Sequence, residues 1–138
     1  MNHFFLDTNV LIDFLANRKP FAMEAAKLFD LSFKKKINLY VSAVSYNNIY
    51  YILIQSQSHA QTLAILNQLN EWTEILDVSK SVINKALKSD FKYFEDAIQY
   101  HCAKSATKMD AIITRDTNDF KTSSISVLSP KEALSMLG

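Results

Sequence analysis

An α/β fold, a mainly parallel sheet covered by helices on both faces, is what this 138-residue sequence predicts. Short apolar runs alternate along it with stretches whose apolar residues recur at helical spacing. The breaks between them are short and polar, as strand–helix–strand crossovers require. Size adds a bound: with 49% apolar residues the chain can bury one core and is too short for two ordinary domains, so residues 1–138 read as one domain.

Phe4 to Leu6 reads as the first strand, and Val10, Leu11, Phe14 and Leu15 then form a helical stripe. Pro20 is expected to open a second helix with Phe21, Ala25, Leu28 and Phe29 on its core face. That helix would end at Lys34-Lys35-Lys36, solvated cations at the negative end of the helix dipole. Ile37, Leu39 and Val41 alternate as a strand, after which Ser45 is expected to cap a helix carrying Ile49, Ile52 and Leu53. His59 to Leu69 reads as helix and Ile75 to Val78 as a short strand or extended piece, with Ser79 capping a helix that carries Val82, Ile83 and Ala86. A helix over Phe94 to Ala106 precedes a buried strand, Ala111 to Thr114, and a last strand, Ile125 to Leu128. Ser129-Pro130-Lys131-Glu132 then spells a capping box, with proline at the first position of a terminal helix.

Composition excludes several functions. Fifteen basic residues against fourteen acidic ones leave no surplus for coating a nucleic acid, so any polyanion must be held locally. Cys102 is the only cysteine, which removes internal disulfides and thiolate zinc cages and fits a reducing cytoplasm. Gly138 is the only glycine, so neither a phosphate-cradling Walker loop nor a dinucleotide fingerprint can be written. No signal-like N-terminus or membrane-length apolar run is present; a soluble, cytoplasmic protein without membrane contact is expected.

Chemistry concentrates at strand ends. Asp7 closes the first strand and opens a helix, which places it in the crevice where ligands collect in open α/β sheets. Ser45 to Asn48, Glu95-Asp96 and the segment Thr114 to Phe120 can reach the same crevice. Together they suggest an acidic, metal-binding pocket. Asp7 also suits a plain helix cap, and Asp96 a plain first-turn acid favoured by the dipole. Successive helical residues point about 100° apart, so Glu95 and Asp96 cannot both aim at one ion equally; Asp96 is preferred, with Glu95 supporting or solvated. Asp110 lies at the wrong end of its strand, and Asp13 reads as structural.

The strings Leu6-Asp7-Thr8-Asn9-Val10-Leu11-Ile12-Asp13, Val41 to Ser45, Glu95-Asp96-Ala97, and Thr114-Arg115-Asp116 with Asp119-Phe120 give the chain its resemblance to the PIN-domain nucleases, which include the VapC-type toxins. The resemblance spans nearly the whole chain. It implies a three-layer sandwich and a hydrolase that cleaves RNA phosphodiester bonds with magnesium or manganese, Mg2+ or Mn2+. It further implies a small antitoxin partner and a homodimer. By the same resemblance Asp7, Asp96 and Asp116 are metal ligands, with Thr8 and Asn9 as supporting groups; Asn48 is expected to complete the ion's shell, and Ser45 and Thr114 to orient ligands or water. Asp119 either binds a second ion or ends a turn.

One departure stands out. Where the family usually has a glutamate three residues after position 45, this chain has Asn48. The amide oxygen can coordinate magnesium but brings no charge. A unit charge ~4 Å from a doubly charged ion is worth roughly 2 kcal/mol even in water, so weaker metal binding is expected. A catalytically weak PIN-like module that binds RNA or a protein is therefore the alternative. A phosphatase of the haloacid-dehalogenase type needs a second acid two residues after the first, where Asn9 stands. Arg115, Lys104, Lys108, Arg18 and Lys121 could meet phosphates, although ordinary surface charge explains them as well. Tyr46 and Tyr93 are the aromatics placed for base stacking.

Overall fold

The computed structural model describes every residue from Met1 to Gly138. Its strands are β1 (Asn2–Leu6), β2 (Ile37–Ser42), β3 (Glu74–Leu76), β4 (Ala111–Ile113) and β5 (Ser126–Leu128). They form one sheet in the order β3-β2-β1-β4-β5, and every pair is parallel. In register, Phe4 lies opposite Leu39 on one side and Ala111 on the other. The chain moves outward from β1 to β3, then returns to the far side of β1 for β4 and β5. The β1–β4 boundary is thus the switch point at which an open α/β sheet leaves its ligand crevice.

The helices are α1 (Thr8–Leu15), α2 (Ala22–Phe33), α3 (Ala43–Leu53), α4 (His59–Trp72), α5 (Lys80–Leu87), α6 (Phe94–Lys104) and α7 (Pro130–Leu137), with a 3-10 turn at Thr117–Phe120. Strand alternation divides the core between the two sheet faces. Phe4, Leu6, Leu39, Val41 and Ile113 face α1, α2, α3 and α7, while Phe5 and Ile112 face α5, α6 and the 3-10 turn. Phe14 and Phe29 stack with ring centres 4.2 Å apart, locking α1 to α2 on the first face. The predicted architecture of a parallel sheet between helical layers is the one observed.

Local expectations are met where the signal was a cap. Ser79 Oγ accepts from Val82 N at 3.2 Å. Both halves of the α7 capping box form, at 3.1 Å from Glu132 N to Ser129 Oγ and 2.8 Å from Ser129 N to Glu132 Oε1. Two expectations are corrected. Pro20 does not open α2, which begins at Ala22; Phe21 is 37% exposed, its ring lying 4.0 Å from the Arg115 guanidinium. Ser42, not Ser45, is the residue before α3, because the helix follows the strand directly with no turn residues between them. The lysine run follows α2 as exposed chain, with only Lys34 paired, to Asp30 at 2.9 Å. No helix is long and apolar enough to cross a membrane.

Candidate active site

Asp7 leaves β1 with its backbone N–H still bonded to Ile113 O at 2.9 Å, so its side chain emerges at the switch point itself. It is only 6% exposed. Asp7 Oδ1 accepts from Thr8 N at 2.8 Å and Oδ2 from the Thr114 hydroxyl at 2.8 Å. The residue is therefore both the cap of α1 and a fixed site carboxylate, and the two readings of its position coexist. Thr114 Oγ1 in turn accepts from Asp116 N at 3.1 Å and Asn9 Nδ2 at 3.3 Å, while Asn9 Nδ2 also reaches Asp116 Oδ2 at 3.0 Å. One hydroxyl thus ties the end of β4, the start of α1 and the loop carrying Asp116 around Asp7.

Beneath this rim Thr8 and Ser45, both expected in the site, join Gln99, which was not. Gln99 Nε2 donates to Thr8 Oγ1 at 2.8 Å and to Ser45 Oγ at 3.0 Å, and the two hydroxyls bond each other at 2.8 Å. Only one of the two hydroxyl protons can lie between them. The other is not used within this trio. All three residues are buried, and Gln99 Oε1 is buried without a partner. The available signal was spacing: Gln99 follows Asp96 by three residues, on the same face of α6 and among apolar neighbours.

Asp96 is half-buried at the start of α6, and its carboxyl is pushed up to about 7, first by burial and then by Asp7, Asp119, Glu95 and Asp116. The Asp7 carboxyl is pushed up to about 6 by burial, against the hydrogen bonds from Thr114 and Thr8, with Glu95 and Asp116 adding to the rise. All five acids therefore share one electrostatic field. Asp116 and Asp119 are both close enough to Asp96 to be felt there, and Asp119 N also bonds Asp116 O at 3.0 Å. Glu95, expected to be supporting or solvated, accepts a hydrogen bond from Asn48 Nδ2. The chain thus places a carboxylate against position 48 from the neighbouring helix.

Arg115, next to the rim, does not face the acids. Its guanidinium binds Asp13 through Nε at 2.5 Å and a second nitrogen at 3.2 Å, so it is not free for phosphate. Asp13 is fully buried by this pair, and Asp110 accepts from His3 N at 2.7 Å at the opposite end of the sheet. Tyr46 packs against the first core with its hydroxyl buried, which removes it as a stacking platform. Tyr93 remains exposed, at the residue before α6.

The donor set consists of hard oxygens, which suit magnesium or manganese better than softer metals. Negative charge is concentrated there and none of these acids is in an ion pair, and on that ground the residues fit a divalent ion. As the side chains lie, no group of three or more His, Cys, Asp or Glu is gathered into a metal-holding arrangement.

Residues 3–118 match the PIN-domain family, and the chain belongs to it. No curated protein sequence matches. Among solved structures, the DNA-bound VapBC complex of Salmonella typhimurium is similar at a TM-score of 0.71 and 18% identity, over 94% of this chain and 99% of that one. FitAcB of Neisseria gonorrhoeae is similar at a TM-score of 0.67 and 16% identity, over 93% and 98%. VapC20 of Mycobacterium tuberculosis, a toxin that cleaves the sarcin-ricin loop, is similar at a TM-score of 0.61 and 15% identity, over 79% and 86%. At such identities the likeness is one of fold.

Proposed function

We propose that the protein is a metal-dependent endoribonuclease that hydrolyses RNA phosphodiester bonds, acting as the toxin of a toxin–antitoxin pair. The observation that carries this reading is Asp7: a buried carboxylate at the switch point, fixed on both oxygens and surrounded by Asp96, Asp116, Asp119 and Glu95, none of them in an ion pair. Burial and like charges disfavour the ionised acids, and a bound cation offsets that cost.

Asp7, Asp96 and Asp116 would hold magnesium or manganese, and Asp119 is placed to take part in a second ion. Asn48 commits its nitrogen to Glu95, which leaves its carbonyl oxygen, the atom able to coordinate a cation, unpaired. When bound, the ion stabilises charge developing on the phosphate oxygens and lowers the pKa of its water. The chain's own part is orientation. Thr114 fixes the Asp7 carboxylate through Oδ2, Asn9 steers Asp116, and Ser45 and Thr8 hold each other beneath them. Glu95 supplies charge where Asn48 has none, which favours an active site over a decayed, binding-only module.

Titration calorimetry with magnesium and manganese on wild type and Asp7→Asn, beside cleavage of mixed RNA, tests the assignment. Binding and cleavage are both expected to be lost with Asp7. Cleavage that survives Asp7→Asn, Asp96→Asn and Asp116→Asn alike would overturn it. The structural relatives include a toxin–antitoxin complex from Klebsiella pneumoniae, and a small antitoxin partner and a homodimer are part of this proposal. Expression alone should arrest growth and be relieved by the partner; a chain that arrests nothing and copurifies with nothing removes the pairing.

A further inference from the structure

The face of α5 and α6 carries a second charged feature, opposite in sign to the acidic centre. Three surface depressions join there in a row. The first begins at Asp119 of the candidate site and is lined by Asn118, Lys92 and Lys121. It shares Asp90, Phe91 and Thr122 with a second, which adds Lys85, Lys88 and His101. The second shares Lys85 and Lys88 with a third, which ends at Lys80. The path is therefore continuous from the acids to the outer side of α5.

Its cations are uncompensated. The molecule has only two ion pairs, Lys34 with Asp30 and Arg115 with Asp13, and neither lies on this face. Lys80, Lys85, Lys88, Lys92 and Lys121 line the path against Asp90 and the site's own Asp119. Burial, and after it Lys85 and Lys104, hold His101 below its ordinary value, which shows how close these cations stand. Lys92 also lies 5.2 Å from the centre of the exposed Tyr93 ring, beside the acids. With a net charge of only +1, this clustering is segregation of charge and not a consequence of a basic composition.

We infer that the lysine-lined path running from Asp119 past Phe91 to Lys80 is where the backbone of a single RNA strand lies while one of its phosphates occupies the acidic centre. This rests on the ribonuclease reading and adds the direction of the strand. A row of flexible ammonium groups recognises repeated phosphates as point charges without reading sequence. Lys92 and Tyr93 combine a cation with an aromatic surface at the point where a base next to the scissile phosphate would stand.

The test compares two triple variants of equal charge. One, Lys85→Ala/Lys88→Ala/Lys121→Ala, empties the path. The other, Lys34→Ala/Lys35→Ala/Lys36→Ala, removes the lysine run after α2. Binding of a short single-stranded RNA is followed by fluorescence anisotropy in chelator over a range of salt, with circular dichroism confirming that each variant folds. The path variant should bind about tenfold or more weakly, and its salt slope should shrink by about 0.7 for each lysine removed. The α2 variant should match wild type. With magnesium, the path variant should show a raised KM for RNA cleavage with kcat retained. Equal losses in the two variants, or no loss in the path variant, overturn the inference while leaving the nuclease intact. Wild type that neither binds nor cleaves RNA removes the ribonuclease reading with it. Salt-sensitive binding of polyglutamate through the same lysines, without RNA binding, would assign the path to an acidic protein instead.

Discussion

Asn48 and Glu95 are joined by one contact, so the effect of the amide at position 48 has to be measured on the pair. An amide at position 48 removes a charge from the site, but its nitrogen donates to a carboxylate carried by α6. Glu95 is also close enough to raise the carboxyls of Asp7 and Asp96. The two positions therefore behave as one unit that holds one negative charge. Glu95→Gln should weaken magnesium binding by about tenfold or more, since a negative charge beside Asp7 and Asp96 is lost. Asn48→Glu alone should lower the melting temperature in chelator, because it sets two carboxylates against each other. The exchange Asn48→Glu/Glu95→Gln should return magnesium affinity close to wild type. A double-mutant cycle read by calorimetry isolates the coupling. Additive effects of the two substitutions would show that they act independently and that Glu95 is merely solvated.

Among elements, α1 and the loop after β4 are joined by the buried Asp13 and Arg115, which links the first and last segments of the site. Asp13 is 1% exposed and the Arg115 side chain 27% exposed. Arg115→Ala should cost on the order of 2 to 4 kcal/mol, the lower part of the range reflecting the partial exposure of the arginine. Asp13→Asn in the same chain should recover part of it. Urea denaturation measures both; an Arg115→Ala protein as stable as wild type but poor at RNA binding would restore Arg115 to the phosphate-contact role considered from sequence. This pair also marks where sequence reading stops. Strands, caps and the α7 capping box were legible because their causes lie within a few residues: the alternation of Ile37, Leu39 and Val41, or Ser129 with Glu132. Phe21, Ser45, Arg115 and Gln99 were misjudged or missed because what decides each is a partner far away in the chain, Arg115 for Phe21, Thr8 for Ser45, Asp13 for Arg115 and Ser45 for Gln99. The gathering of Asp7, Thr114 and Asp96 could be anticipated because parallel topology sends the relevant strand and helix ends to one edge.

Gathering acids at one edge destabilises the whole molecule unless a cation is bound, and pH should expose this. Burial raises the Asp7 carboxyl to about 6, and burial with the neighbouring acids raises Asp96 to about 7. In the unfolded chain both titrate near 4. From about pH 4 to about pH 7 the folded chain therefore binds more protons than the unfolded one, and stability falls as pH rises through that window. For Asp7, nearly fully buried, the loss is roughly 3 kcal/mol by pH 7. Magnesium binds the ionised carboxylates, so its affinity rises over the same window and its binding offsets the loss. Urea denaturation at pH 5 and pH 8, in chelator and in magnesium, should show a wild type that loses stability toward pH 8 only in chelator. Asp7→Asn should have a flatter pH dependence, a higher stability than wild type at pH 8 in chelator, and little response to magnesium. Comparing the two proteins removes the contribution of all other titrating groups. If wild type and Asp7→Asn show the same slope in chelator, Asp7 is an ordinary helix cap, and the fold carries no stored charge for a metal ion to relieve.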